Sequence, residues 1–381
     1  MAEESMQPNP QGGDGAAEAA WAMLAENGLG QEPLARLLAE TVADGAAEVA
    51  AVEPSVIGTG QVGENVRCTI RWAGTDGGQA AGVPGSVVIK LASSDPTSRA
   101  AAEVTRTYIR EVGFYRDIAP SVDIRVPFAY HVTEDRPENR FVLVMEDISP
   151  AEVGNQLDGC DLARAELAVS AAADLHGSTW GRQAELDSYD WVDRSTPERA
   201  GERAGLFEML FPGFLERYRD RLTDKEQAFG RWLASNFLAW QERRLKPQCL
   251  IHGDFRLDNM LFGTAEVAPA VTTVDWQTAA LGHGLGDVAY FLSGALPPAE
   301  LAASESTLLA GYRARLGEHG VDLSTDQMWE DYRLAAPAGY TMAVIASQLV
   351  GRTERGDDMF MVMAKGSADQ ALRVDTADLL G

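Results

Sequence analysis

The stretch Cys249-Leu250-Ile251-His252-Gly253-Asp254-Phe255-Arg256-Leu257-Asp258-Asn259-Met260-Leu261-Phe262 decides how this 381-residue chain is read. An apolar run leads into a polar loop that holds an Asp and, five positions later, an Asn. A second apolar run leads out, and Thr272-Thr273-Val274 then leads to Asp275-Trp276. The pattern is strand, loop, strand, turn, strand. It delivers three oxygen-bearing side chains, Asp254, Asn259 and Asp275, to one end. A single carboxylate in such a loop is commonplace; the three at this spacing make a constellation.

H-x-D-x-x-x-x-N followed by a strand-end Asp is the kinase arrangement. In it Asp254 accepts the proton of a substrate hydroxyl. Asn259 and Asp275 supply hard oxygen ligands to Mg²⁺, which bridges the phosphates of ATP. Protein kinases place Arg after the His, whereas this chain has Gly253. His-Gly-Asp resembles the aminoglycoside phosphotransferase and choline kinase superfamily. The fuller string HGDFRLDN, with Gln156-Leu157-Asp158-Gly159-Cys160, resembles its ecdysteroid-kinase-like branch. The resemblance covers residues from about 55 to 350. It implies a bilobal α+β, protein-kinase-like fold with an antiparallel-sheet N-lobe over residues 51–147. A mainly helical C-lobe would follow over 148–381, with the catalytic loop and the acceptor site. Residues 1–50 are then an N-terminal extension, disordered to about residue 16 and helical from Ala17, with Trp21, Leu24, Leu34, Leu37, Leu38 and Val42 as its apolar positions.

Ile57-Gly58-Thr59-Gly60-Gln61-Val62-Gly63 contains G-x-G-x-x-G. A dinucleotide fingerprint needs a helix to start at the glycines. Here Val66, Cys68, Ile70 and Trp72 alternate with polar residues, which is the period of a strand. Strand, glycine loop, strand is the hairpin with which kinases cover nucleotide phosphates, so Gly58, Gly60 and Gly63 are assigned to nucleotide. Ser86-Val87-Val88-Ile89-Lys90-Leu91 places a lysine inside an apolar strand, which is unfavourable unless the lysine is paired. In the kinase reading Lys90 contacts the α- and β-phosphates and pairs with a Glu on the next helix, expected from about Ser98 to Ile118. Glu111 lies on the helix's apolar stripe of Val104, Tyr108, Tyr115 and Ile118; Glu103 competes from off the stripe. Phe141 to Ile148 reads as a buried strand ending in acids. By resemblance it becomes the hinge, with main-chain groups near Glu146 and Ile148 meeting the adenine edge.

Beyond residue 149 the pattern is mostly helical. Asp161 to His176 is expected as an amphipathic helix burying Leu162, Leu167 and Leu175, with His176 structural. Residues 189–245 are rich in aromatics, most of them helical core and a few available to an acceptor pocket. Asp287 is placed to cap the helix that begins near Gly286, and by resemblance its stretch also braces the catalytic loop.

Hydrophobic content of 45% and charged content of 23% are those of a globular protein. The formal net charge of −25 argues against nucleic acid or an anionic membrane as partner. It favours a cationic substrate, although acidic surfaces also serve solubility alone. Cys68, Cys160 and Cys249 form no C-x-x-C pair, and two sit in apolar runs, as expected of buried thiols in a reducing cytoplasm. Met1-Ala2-Glu3-Glu4 does not read as a secretory signal, and no stretch approaches the roughly 18 apolar residues of a membrane span.

The expected activity is transfer of the ATP γ-phosphoryl group to a hydroxyl of a small molecule, with Mg²⁺. The acceptor is left open between a cationic alcohol, as for an aminoglycoside-type antibiotic kinase, and an apolar one. The rival from another class is a nucleotide-binding pseudokinase with a regulatory role. Ser/Thr protein kinase activity is disfavoured, because Asp275 is followed by Trp276-Gln277 rather than Phe-Gly.

Overall fold

A five-stranded antiparallel sheet, two smaller sheets and a long series of helices make up the computed structural model, which describes residues 30–58, 63–74, 82–245, 249–265 and 269–380. The chain divides into two compact units. One comprises Met1–Pro120 with Val126–Ser149, the other Ser121–Arg125 with Pro150–Gly381. The helix expected from Ala17 lies largely outside the described residues, as do Gly60 and the turn Thr75-Asp76-Gly77-Gly78.

The first unit opens with α1 (Gln31–Thr41), then β1 (Val49–Ile57), β2 (Gly63–Trp72), β3 (Ser86–Ala92), α2 (Pro96–Thr105), α3 (Thr107–Gly113), β4 (Ala129–Asp135) and β5 (Arg140–Glu146). The strands pair in the order β1-β2-β3-β5-β4. Strict alternation in β2 puts Val66, Cys68, Ile70 and Trp72 inside, each at most 6% exposed. One face of the sheet meets α1, whose Leu34, Leu37 and Leu38 are fully buried with Val52, Val87, Ile89, Val142 and Val144. Burying each such leucine is worth roughly 1.5–3 kcal/mol, so α1 is part of this unit's core.

One long helix after β3 does not form. α2 ends at Arg106, whose φ of 58° is left-handed, and α3 starts immediately after it. The break rotates the two halves relative to each other. Val104, expected on the apolar stripe, is therefore 85% exposed, whereas Tyr108, Val112, Tyr115 and Ile118 are buried. A π-helical turn over Phe114–Ile118 finishes the segment.

In the second unit β6 (Ala151–Val153) is followed by α4 (Leu162–Thr179), α5 (Pro197–Tyr218) and α6 (Asp224–Arg243). Four short strands come next: β7 (Cys249–Ile251), β8 (Met260–Gly263), β9 (Val271–Thr273) and β10 (Ala280–Gly282). Five helices complete the unit: α7 (Leu285–Ala295), α8 (Pro298–Glu318), α9 (Thr325–Ala335), α10 (Ala338–Leu349) and α11 (Glu354–Arg373). Every residue of α7 is buried, as its near-continuous apolar sequence demands. In α4 the buried side is drawn by alanines, Ala165, Ala168 and Ala172, with Val169 and Leu175; Leu167, expected inside, is 38% exposed. The expected cap is also displaced. Gly284 is the N-cap of α7, and Asp287 lies inside its first turn, 2% exposed.

Candidate active site

In the first unit the alternation of β3 points Val87 and Ile89 into the core and turns Lys90 to the opposite face, paired in register with Asn65 on β2 and Leu143 on β5. Lys90 Nζ donates to Glu111 Oε1 at 2.7 Å, both side chains no more than 10% exposed. Glu103 is exposed on α2, because the left-handed residue Arg106 separates it from the buried face of α3. Charges this deep persist only when paired. Gly58 adopts a φ of +72°, which suits glycine. A Cβ on Gly63 would stand 3.0 Å from the Leu91 carbonyl oxygen and 3.6 Å from Lys90 Cε, so this backbone runs close to the lysine. At the end of β5, Glu146 N–H donates to the Phe128 carbonyl at 2.8 Å, and Phe128 N–H donates to the Glu146 carboxylate at 3.0 Å. The Glu146 N–H is thus committed within the protein, and two residues on Ile148 is buried.

In the second unit the loop after β7 is built on Asp287. Its carboxylate accepts from His252 N–H at 2.7 Å and from Gly253 N–H at 2.9 Å. His176 places Nε2 3.2 Å from the same carboxylate and Nδ1 2.9 Å from the Tyr312 hydroxyl, fully buried. Asp287 thus braces the loop from behind. Gly253 has a φ of +83°, and a Cβ there would lie 2.6 Å from the Thr278 carbonyl oxygen. This is why Gly, and no side chain, stands between His252 and Asp254. His252 Nδ1 faces the Asp254 N–H at 3.2 Å and Nε2 faces the Val274 carbonyl at 3.0 Å. The ring therefore accepts on Nδ1, donates from Nε2 and ties the loop to the segment that carries Asp275.

Three side chains hold the Asp254 carboxylate, which stays 16% exposed. Tyr290 donates its hydroxyl to Oδ1 at 2.8 Å. Arg256 Nε lies 3.1 Å and 3.0 Å from the two oxygens, and Asn259 Nδ2 reaches Oδ2 at 3.1 Å. Burial alone would raise the Asp254 pKa, but the Arg256 charge and the hydrogen bonds from Arg256 and Tyr290 outweigh it and hold the carboxyl below its usual range. Asn259 also donates to the Asp254 carbonyl at 2.8 Å. With its amide nitrogen turned to these acceptors, its side-chain oxygen points to the other side. The Asn259 carbonyl accepts from Val274 N–H at 3.0 Å, which places Asp275 next in line. Asp275 has a φ of +68°, a left-handed conformation uncommon for a non-glycine residue and better tolerated by Asp than by most.

Among the described residues no three His, Cys, Asp or Glu side chains converge as a metal cage. A magnesium site needs none: one amide oxygen and one carboxylate, completed by water and phosphate, are the donors that this ion prefers. Asn259 and Asp275 fit that description.

Four participants were not singled out by sequence: Arg256, Asp258, Tyr290 and Arg355. The first two stood within the loop, and Tyr290 follows Asp287 by three residues on α7, one turn along the same face. Arg355 lies 97 positions beyond Asp258, and no local signal could have joined them. Most aromatics of residues 189–245 are core, as expected: Trp191, Phe207, Phe214, Tyr218, Phe237 and Trp240 are at most 2% exposed, and Phe207 stacks on Phe237 at 4.2 Å. Tyr189 and Trp232 are half-buried.

A model of the phosphotransferase enzyme family, the aminoglycoside phosphotransferase type, matches residues 78–323, well over half of the chain. The chain belongs to this phosphotransferase family. It has the antiparallel sheet and the helical second unit of the kinase-like fold. Among solved structures, this phosphotransferase is similar to Plasmodium vivax ethanolamine kinase at 12% identity, with a TM-score of 0.52 over 93% of this chain and 95% of that one. It is also similar to the GDP complex of an aminoglycoside 2′-phosphotransferase-IIIa at 14% identity, with a TM-score of 0.51 over 93% and 99%. At such identities the likeness speaks for the fold. Among curated proteins, human acyl-CoA dehydrogenase family member 11 is 48% identical over 65 residues, 17% of this chain and 8% of that protein. The chicken protein of that name is 40% identical over 60 residues, 16% and 7%. The match thus spans less than a tenth of these relatives' length. Among the described residues of the phosphotransferase, no helix is long and apolar enough to cross a membrane.

Proposed function

We propose that this phosphotransferase moves the γ-phosphoryl group of ATP to a hydroxyl of a small molecule, with Mg²⁺. The observation that carries the reading is the loop from His252 to Asn259, in which the Asp of H-G-D and the Asn five residues on are hydrogen-bonded at 2.8 and 3.1 Å. In this reading Asp254 accepts the hydrogen bond of the acceptor hydroxyl and takes its proton as the new P–O bond forms. Its low pKa means that it is ionised and available at neutral pH, and that it orients the hydroxyl more than it pulls the proton off early. Asn259 and Asp275 would hold Mg²⁺, which supplies charge neutralisation for the phosphates. Lys90, fixed by Glu111, is assigned to the α- and β-phosphates. Gly58, Gly60 and Gly63 are assigned to the phosphate-covering hairpin, and the main chain near Glu146 and Ile148 to the adenine edge.

The row of Asp254, Arg256, Asp258 and Arg355 is internally balanced, while Asp287 adds a carboxylate behind the loop and Asp275 follows the segment bonded to Asn259. The acceptor class is decided by assay. The test is ADP formation from Mg·ATP across a library of hydroxylated compounds that includes aminoglycosides, amino alcohols, sterols and macrolides, with Asp254→Ala as the control. An acceptor-dependent rate lost in the control is expected. Nucleotide binding with no turnover on any acceptor would instead support the pseudokinase.

A further inference from the structure

We propose that Arg256 is a positioning residue for phosphoryl transfer, clamping the Asp254 carboxylate in one orientation, and that Arg355 on α11 sets this clamp through Asp258. The inference rests on the assignment of Asp254 above and extends it to Arg256, Asp258 and Arg355, to which the sequence reading gave no role.

The four side chains form a row of alternating charge. Arg256 Nε straddles both oxygens of Asp254, at 3.1 and 3.0 Å. Its Nη1 bonds to Asp258 Oδ2 and lies 3.1 Å from Met359 Sδ on α11. Asp258 then accepts from Arg355 Nη2 at 2.8 Å and Nη1 at 3.1 Å, and from the Gln156 N–H at 2.9 Å. Arg355 also reaches Asn155 Oδ1 at 3.2 Å.

Geometry gives this row a function. A guanidinium is planar, and its donors leave it in fixed directions. Anchoring Nη1 on Asp258 therefore fixes where Nε points, and with it the plane of the Asp254 carboxylate. Tyr290 and Asn259 each hold one oxygen of that carboxylate, so Arg256 is the group that addresses both. Arg256 and Asp258 are nearly buried, at 16% and 14% side-chain exposure, whereas Arg355 is 51% exposed. Removing Arg355 opens no core, which separates positioning from folding. Reacting groups lose about 10²-fold in rate when misplaced by about an ångström.

The experiment measures ADP formation from Mg·ATP with water as acceptor, and with the most active hydroxylated compound of the library. Nucleotide affinity is measured alongside by calorimetry. Arg256→Met should lower kcat by about 10²-fold and leave nucleotide affinity within about twofold, since the residue acts on Asp254 rather than on the nucleotide. Arg256→Lys, which keeps the charge but not the fork, should fall between, and added guanidinium ion should restore part of the rate of Arg256→Ala. Arg355→Ala should lower kcat by about three- to tenfold in the native background and change nothing further in Arg256→Met, because coupled groups are not additive. A near-native kcat for Arg256→Met would overturn the proposal. So would nucleotide affinity falling in step with kcat, or an Arg355→Ala effect that persists undiminished beside Arg256→Met. If Arg256→Met does not fold, the exposed Arg355→Ala decides, and an unchanged kcat overturns the proposal. A native protein with no turnover above Asp254→Ala defeats the assignment of Asp254 and the clamp together; turnover that needs Asp254 but not Arg256 defeats the clamp alone.

Discussion

At the scale of single residues, the buried pair and the loop make opposite demands. Lys90 and Glu111 neutralise each other in a nearly buried place. Lys90→Ala removes the cation that Glu111 meets at 2.7 Å and should destabilise by about 3–5 kcal/mol. The double variant Lys90→Met, Glu111→Leu should regain most of that stability while losing nucleotide affinity. Denaturant unfolding of the two variants checks this, and equal instability would show that the pair's charge is not the controlling factor. Asp254→Ala should reduce kcat by about 10²–10⁴-fold with nucleotide affinity retained. For Asp275→Asn and Asn259→Ala the expected loss is in Mg²⁺-dependent nucleotide binding, read from ATP affinity titrated against Mg²⁺. An unaltered Mg²⁺ dependence in both would remove them as metal ligands. The H-G-D and Asn positions were legible because their spacing is local. The left-handed φ of Asp275 was not, because nothing in an Asp-Trp pair requires it.

At the scale of elements, α1 and α11 show how far a helix's role can lie from its own sequence. The leucines of α1 have helical spacing, and the structure puts Leu34, Leu37 and Leu38 in the core beneath β1 to β3. Leu37→Ala should cost about 2–5 kcal/mol, seen as a lowered unfolding midpoint; a shift below about 0.5 kcal/mol, the range of surface substitutions, would place α1 outside the core. The first turn of α11 is held by Asp357, which accepts from the Tyr218 hydroxyl and from Arg352. Burial raises the pKa of Asp357, but these bonds outweigh it and lower the net value. A carboxyl whose folded pKa is depressed adds stability above its unfolded pKa, near the ordinary Asp value, and that stability is lost as pH falls through the lower folded pKa. Asp357→Asn should therefore reduce stability at neutral pH and shrink the loss on acidification, and an unchanged pH–stability curve would contradict this. The break at Arg106 was invisible because the apolar positions on either side of it share one helical period. Only packing on the sheet reveals that the chain changes direction there.

At the scale of the whole molecule, the net charge of −25 is a field that attracts cations. That attraction is screened over about 8 Å at physiological salt, so the groups at the site should govern acceptor choice and the overall charge the rate of encounter. The KM of a neutral acceptor should then be insensitive to salt between about 50 and 200 mM, over which the screening length shortens. A KM that climbs steeply with salt would mark a cationic acceptor and restore the aminoglycoside reading.

By itself the sequence determined the kinase-like class, the strand that carries Lys90, its partner Glu111 and the loop from His252 to Asn259. Each of these is written in local periodicity, or in a spacing that the backbone translates directly into position. Tertiary structure alone decided which of the aromatics of residues 189–245 stay half-buried, that Asp287 lies inside the first turn of α7 instead of capping it, and that Arg355 meets Asp258. Those outcomes depend on which side chains meet across long loops, and a burial pattern states only that a residue is inside, not what it touches.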